Sequence, residues 1–242
     1  MKQECKLWFN PSIFLSIILT FTISCNKKDN NGNSNNPTGT VTDIDGNLYH
    51  TVTVGTQVWM VENLRVTHYR NGDSIPNIKD SLYWSGLISG AYCDYNNVSV
   101  NSTVFGHLYN WYATSDPRNV APIGWHVPTI KDWHILFYCL GCDTTTWTNV
   151  TIAGAKMKEA GTLHWTGPNT GATNSSGFTA LPGGCRNRTE FNPTYGFFDA
   201  GTYGTWWTSN ERIIGLSSRN NIIAGGDYYF YDTGFSIRCI KD

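Results

Sequence analysis

The chain has little charge. Lys and Arg number 17, Asp and Glu 18, together 14% of 242 residues, and the net charge is −1. That balance excludes the broad basic surface that nucleic acid requires. The chain also lacks the short motifs that announce chemistry. Thr208-Ser209-Asn210-Glu211 has none of the glycines of a nucleophile elbow. The six His residues are scattered. His126 and His134 flank one helix start, but no acid or second His completes a metal spacing. Asp43-Ile-Asp45-Gly-Asn47 has the look of a calcium loop without the distal Glu that an EF-hand needs. Cys139-Leu-Gly-Cys142 has redox spacing, yet it sits at a helix C-terminus, where nothing lowers a thiol pKa. No cofactor and no metal are therefore expected. Carboxylates for glycoside hydrolysis reduce to Glu62, Asp94, Glu190, Asp199 and Glu211, whose spacing in space is invisible at this level. No internal repeat is present.

What is abundant is aromatic and small. Aromatics make up 14%, with 10 Trp and 13 Tyr, beside 24 Gly. Strands joined by turns fit this composition. Large rings fill a loop-rich core, and exposed ones stack on sugars. Trp84, Trp147 and Trp165 are the candidates for a stacking role, each weighed against plain core packing.

The N-terminus has another character. Lys2 and Lys6 precede the apolar run from Ile13 to Ile23, too short to span a bilayer but suited to a secretory leader. The run ends at Ser24-Cys25 and resembles a bacterial lipoprotein signal, with Thr22 where such signals prefer Leu. Residues 1–24 thus read as a signal peptide and Cys25 as the lipidated residue. Residues 25–39 hold a polar tract with almost nothing to pack, a flexible tether. This places the chain in the cell envelope as an outer-membrane lipoprotein, on the periplasmic side or the cell surface, with the membrane as partner through its anchor.

Residues 40–242 read as a single domain organised around Gly124-Trp-His-Val-Pro-Thr-Ile-Lys-Asp-Trp133. Pro128 keeps Val127 extended. Thr129 stands at the N-cap position, with Asp132 three residues on as in a capping box. Ile130, Trp133, Phe137 and Leu140 then recur at helical spacing, and the helix ends near Gly141. Asp45-Gly46-Asn47 and Gly55-Thr-Gln57 predict tight turns between strands. Residues 105–113 read as strand or short helix, and 153–158 as a short helical turn. Gly161 to Gly184 predicts a long organised loop. Strands are expected at 204–209, 228–231 and 235–240.

Several segments together resemble one family. They are Val58-Trp-Met-Val-Glu-Asn-Leu-Arg65, Tyr92-Cys-Asp-Tyr-Asn-Asn97, Gly106-His-Leu-Tyr-Asn-Trp-Tyr-Ala113, Ala121-Pro-Ile-Gly-Trp-His-Val-Pro-Thr129, Asn169 to Gly184, and Gly234-Phe-Ser-Ile-Arg-Cys-Ile-Lys-Asp242. The chain resembles the Fibrobacter succinogenes major paralogous domain family of secreted and lipid-anchored bacterial proteins. The helix-start stretch is more distantly similar to formylglycine-generating domains. That similarity implies an α+β, C-type-lectin-like fold: small twisted antiparallel sheets, one or two helices and long irregular loops. The copper-binding cysteine pair of those oxidases has no counterpart here, and the acid of the calcium-dependent lectin loop is missing at Gly167-Pro168-Asn169. Cys93 and Cys239 lie in the family-like motifs and form the preferred disulfide, with a second bridge from Cys139 or Cys142 to Cys185. The expected function is a non-catalytic, lectin-like binding or adhesion module for a glycan or protein ligand. An extracytoplasmic enzyme acting on polysaccharide or protein, or a structural envelope protein, are the alternatives.

Overall fold

A computed structural model describes residues 38–144, 150–189, 192–221, 224–226 and 230–242. The leader, Cys25, nearly all of the tether, Trp147 and Glu190 lie outside the described residues. The chain opens with β1 (Gly39–Thr42), β2 (Leu48–Val54) and β3 (Gln57–Met60), followed by α1 (Ser81–Ser85) and β4 (Tyr92–Cys93). A 3-10 turn (Tyr95–Asn97), α2 (Ser99–Phe105), β5 (Leu108–Tyr109), α3 (Trp111–Thr114) and β6 (Trp125–His126) come next. Two longer helices follow, α4 (Ile130–Cys139) and α5 (Val150–Met157). The remainder is strand and loop: β7 (Cys185–Thr189), β8 (Asn192–Phe198), β9 (Tyr203–Trp207), β10 (Ile213–Ser217), β11 (Ala224–Gly226) and β12 (Ile240–Lys241).

The strands form small antiparallel sheets, so the mixed α+β expectation holds. The largest runs β1-β2-β3-β12-β6, beside a three-stranded β11-β10-β9 sheet and the pairs β4-β5 and β7-β8. Strand β12 lies inside the largest sheet between β3 and β6, where Ile240 faces Trp59 of β3 and His126 of β6. The first turn forms as its residues predict. Asp43 accepts hydrogen bonds from the amides of Asp45 and Asn47 on Oδ1, while Gly46 takes φ 82°. Gly55, at φ 61°, closes the β2–β3 hairpin.

Helix α4 begins as expected. Thr129 is extended (φ −76°, ψ 165°), its hydroxyl accepts from the Asp132 amide, and the Asp132 carboxylate accepts from the Thr129 amide at 2.8 Å. The helix ends at Leu140, followed by Gly141 at φ 100°. Trp133, Leu136, Phe137 and Leu140 are buried against Val52, Trp59, Phe178 and Trp206. Trp59 and Trp133 lie 4.8 Å apart between ring centroids.

This helix is not the single hub of the core. A second cluster, including Tyr49, Met60, Tyr109, Trp111, Trp207, Phe235 and Ile237, forms without it. Strands carry both clusters because β9 points Trp206 into one and its neighbour Trp207 into the other. The expectation of one or two helices is also too low, since α1 and α2 were not anticipated. Both are too short to show a period, and α2 is Ser-, Asn- and Val-rich with no side-chain cap. The ambiguous 105–113 stretch holds both alternatives, β5 and then α3. Asn110 makes the switch, its side chain accepting from the Ala113 amide. The expected strand at 235–240 is reduced to bridges around Phe235 and the short β12. Of the strand expected at 228–231, residues 228 and 229 lie outside the described residues, and Tyr231 stands in a turn.

Residues 159–184 contain no helix or strand, as the glycine spacing predicts. Side chains shape this loop. Asn169 Nδ2 donates to the Glu159 and Gly161 carbonyls, and Trp165 Nε1 donates to the Ala180 carbonyl. Asn174 bonds both the amide and the hydroxyl of Thr179.

Candidate ligand-binding surface

The residues of the family-like motifs are largely occupied inside the fold. Arg238 is fully buried. Its Nε and Nη2 donate to Asn63 Oδ1 at 3.0 and 2.8 Å, Nη1 donates to the Phe178 carbonyl, and the guanidinium lies 4.4 Å from the Phe178 ring. Asn63 also accepts from Trp206 Nε1 at 2.8 Å and donates to the Phe105 carbonyl at 2.8 Å. Burial pushes the Arg238 pKa down to about 9. Arg186 is equally buried; it donates to the Ile78 and Lys79 carbonyls and stacks 4.4 Å from the Trp84 ring. Lys158 donates to the Thr170, Ser217 and Asn220 carbonyls at 3.0–3.2 Å, and burial pushes it down to about 8. All these acceptors are amide or backbone oxygens, so these three cations fasten loops together.

The groupings that resemble catalytic machinery have the wrong geometry for it. Asp94, Ser102 and His107 meet, but Asp94 Oδ1 and Ser102 Oγ both lie 3.0 Å from the same His nitrogen, Nδ1, and the Ser102 hydroxyl donates to Asp94. A nucleophilic triad needs the serine on the other ring nitrogen and open to a substrate. Ser102 is buried, and burial holds His107 below its ordinary pKa. In the resemblance to a calcium loop, Asp43 faces its own turn and Tyr49 Oη, while Asp45 holds Thr67 and His68. Among the described residues no group of three His, Cys, Asp or Glu is arranged for a metal ion. The loose carboxylates are dispersed. Glu62 bonds His50, Asp94 bonds His107, Asp199 turns β8 into β9, and Glu211 bonds Tyr231.

The disulfide expectations are corrected. Cys93, Cys142, Cys185 and Cys239 are buried and none of them is in a disulfide. Cys93 belongs to a small cluster with Trp84 and Leu108, whereas Cys239 lies in the large cluster around Tyr49 and Tyr109. Cys142 and Cys185 are likewise in separate clusters, and Cys139 pairs with none of the four. Burial pushes Cys93 up to about 12 and raises Cys142 and Cys239 as well, so none is a reactive thiolate at neutral pH.

The expected stacking residues are also corrected. Trp84 and Trp165 are buried at 0% and 1% exposure, with their indole N–H groups on the Asp232 and Ala180 carbonyls. They fill the core and offer no face to a ligand.

Exposed rings lie elsewhere. Tyr231 and Phe230 are 43% and 45% exposed. The Tyr231 carbonyl accepts from the Trp111 amide at 2.8 Å, and its hydroxyl donates to Glu211 Oε2 at 3.1 Å. Its ring meets half-buried Tyr112 edge-on at 5.8 Å and tilts 34° to Trp111 at 6.2 Å. Trp111 in turn packs on Trp207 in the core. The Arg188 guanidinium covers Phe230 at 3.4 Å from the ring centre. Strand β7 shifts register between Asn187 and Thr189, which re-aims the intervening Arg188. Leu82, Tyr83 and Ile88 are exposed on and just after α1, and Trp84 of the same helix bonds the Asp232 carbonyl next to Tyr231. Of these residues only Glu211 and Trp84 were singled out from sequence as site candidates. The signal available for the others was the aromatic run ending at Tyr231, followed directly by the turn residues Asp232-Thr-Gly234.

No curated protein and no solved structure matches the chain. The sequence profile of the Fibrobacter succinogenes major domain matches residues 52–241, the stretch that holds nearly all of both core clusters, the three buried cations and the exposed aromatic surface. The chain belongs to the Fibrobacter succinogenes major domain family.

Proposed function

We propose that the protein is a non-catalytic binding module of the bacterial cell envelope, anchored through lipid on Cys25 and presenting a ligand surface for a glycan or protein. The observation that carries this reading is the contrast between interior and surface. The buried cations Arg238, Arg186 and Lys158 are spent on carbonyls and on Asn63 inside the fold, while the exposed rings of Tyr231 and Phe230 are flanked by Glu211 and Arg188. A lectin-like relationship of the fold is part of the proposal; small antiparallel sheets and a long side-chain-shaped loop are consistent with it. The polar tract after Cys25 supports an anchored domain held away from its membrane. No helix among the described residues is long and apolar enough to cross a membrane.

Two measurements test the reading. A Cys25→Ser chain should move from the detergent to the aqueous phase on phase separation; an unchanged distribution refutes the anchor. Residues 38–242 applied to an array of bacterial and plant glycans, and to fractionated envelope proteins, should bind a defined member of one set. Turnover of any glycan or peptide on the same arrays would instead establish an enzyme.

A further inference from the structure

We propose that the surface around Tyr231 is a stacking subsite for a neutral hexopyranose unit of a polysaccharide, with Glu211 and Arg188 binding the hydroxyls of that ring. This rests on the binding-module reading and names the ligand class.

The platform is built before any ligand arrives. Tyr231 is held by its carbonyl on the Trp111 amide, by its hydroxyl on Glu211 and by ring contacts to Trp111 and Tyr112. Trp111 is buried on Trp207, so the platform is rooted in the core. A ring fixed in this way loses little rotamer freedom on binding. Isolated exposed aromatics are ordinary. Here exposed Phe230 and Tyr231 are joined by half-buried Tyr112, on segments bonded to one another.

Glu211 sits at the hydroxyl edge of Tyr231 and Arg188 over the face of Phe230. Glu211 occupies the β9–β10 turn with φ 63°, a left-handed conformation unusual for a residue with a side chain. Thr208 closes that turn through bonds to Arg212. The bond to Tyr231 uses Oε2, which leaves Oε1 as a second acceptor. Arg188, beside the β7 irregularity, places its guanidinium carbon 3.4 Å from the Phe230 ring centre and carries several N–H donors. A pyranose presents a C–H face to a ring and a rim of hydroxyls that both donate and accept. An aromatic floor with a carboxylate acceptor and a guanidinium donor matches both features. The two charges oppose each other, which favours a neutral sugar over a uronic acid. Nucleobases stack too, but this chain has no excess of cations to hold phosphates.

The test uses the full chain in detergent micelles. Cellulose, starch and mannan serve as insoluble probes, and their soluble oligosaccharides are titrated against Trp fluorescence, since Trp111 adjoins Tyr231. The wild type should be retained on at least one of the three. Tyr231→Ala should weaken binding by roughly thirtyfold, the effect of losing an anchor residue. Tyr231→Phe should keep most of the affinity, whereas the Glu211→Gln, Arg188→Met double variant should lose at least about fivefold. Ile123→Ser, an exposed change on the loop before β6, should bind as wild type. Unchanged melting confirms that each variant is folded, and the polar double variant decides the matter if Tyr231→Ala does not fold. Retention of wild type together with undiminished binding by the Tyr231 and double variants overturns the site and leaves the module standing. Retention on no glycan, with binding to an envelope protein, overturns the sugar assignment. Binding to neither removes both readings.

Discussion

The β1–β3 meander and the loop from Glu159 to Gly184 occupy the same core by different means. The meander is held by continuous backbone ladders, Gly39 to Thr42 on β2 and Thr51 to Val54 on β3. The loop has no ladder. Its carbonyls are taken by Arg238, Lys158, Asn169 and Trp165, side chains that each close a different span. Many equivalent bonds make the first region tolerant. A few irreplaceable bonds make the second rigid and fragile, since each donor removed strands several buried acceptors.

The largest effect is expected at Arg238. Arg238→Met removes donors from Asn63, Phe178 and Thr179 together and should destabilise by about 3 kcal/mol or more. Denaturant unfolding would measure it, and a loss below about 1 kcal/mol would break the contrast. Lys158→Met strands three carbonyls and should cost about 2 kcal/mol, with new protease cleavage confined to residues 159–184. Cleavage in the meander instead would show that the two regions open together.

Helix α4 joins the regions, because Trp133 meets Trp59 of β3 and Phe178 of the loop at 4.8 and 5.8 Å. Thr129→Ala removes its cap and should cost about 1 kcal/mol, with amide exchange rising in both regions. His126 tests the same joint by pH. Bonds from Asp132 and Asp242 raise its pKa, so its stabilisation is complete below the ordinary histidine value and is lost as pH rises through the folded one. The half-exposed pair should contribute well under about 1 kcal/mol. Wild type should melt lower at pH 8.5 than at pH 5.5 by more than His126→Gln does; equal shifts would remove His126 from the account. The smallest effect is expected in the meander, where Thr53→Ser on its exposed face should stay within about 0.5 kcal/mol.

What could be read in advance was local. The Thr129–Asp132 cap, the Asp45-Gly46 turn and the glycine-jointed loop depend on neighbours within a few residues. What escaped was decided at long range. Trp84 was a candidate for sugar stacking because nothing near it shows that its indole reaches Asp232, 148 residues away. The cysteines were paired by motif membership, while the fold sends Cys93 and Cys239 to different clusters. Tyr231 went unnoticed because its exposure follows from the distant Trp111 and Glu211 that hold it. Short helices such as α1 have too few residues for periodicity to register.

Strand β12 has a consequence for how this domain comes to exist. Ile240 fills the gap between Trp59 and His126, so β6 joins the β1–β3 meander only once residues 240–241 have paired. Synthesised from its N-terminus, the chain would therefore close this sheet only after its other strands are already in hand.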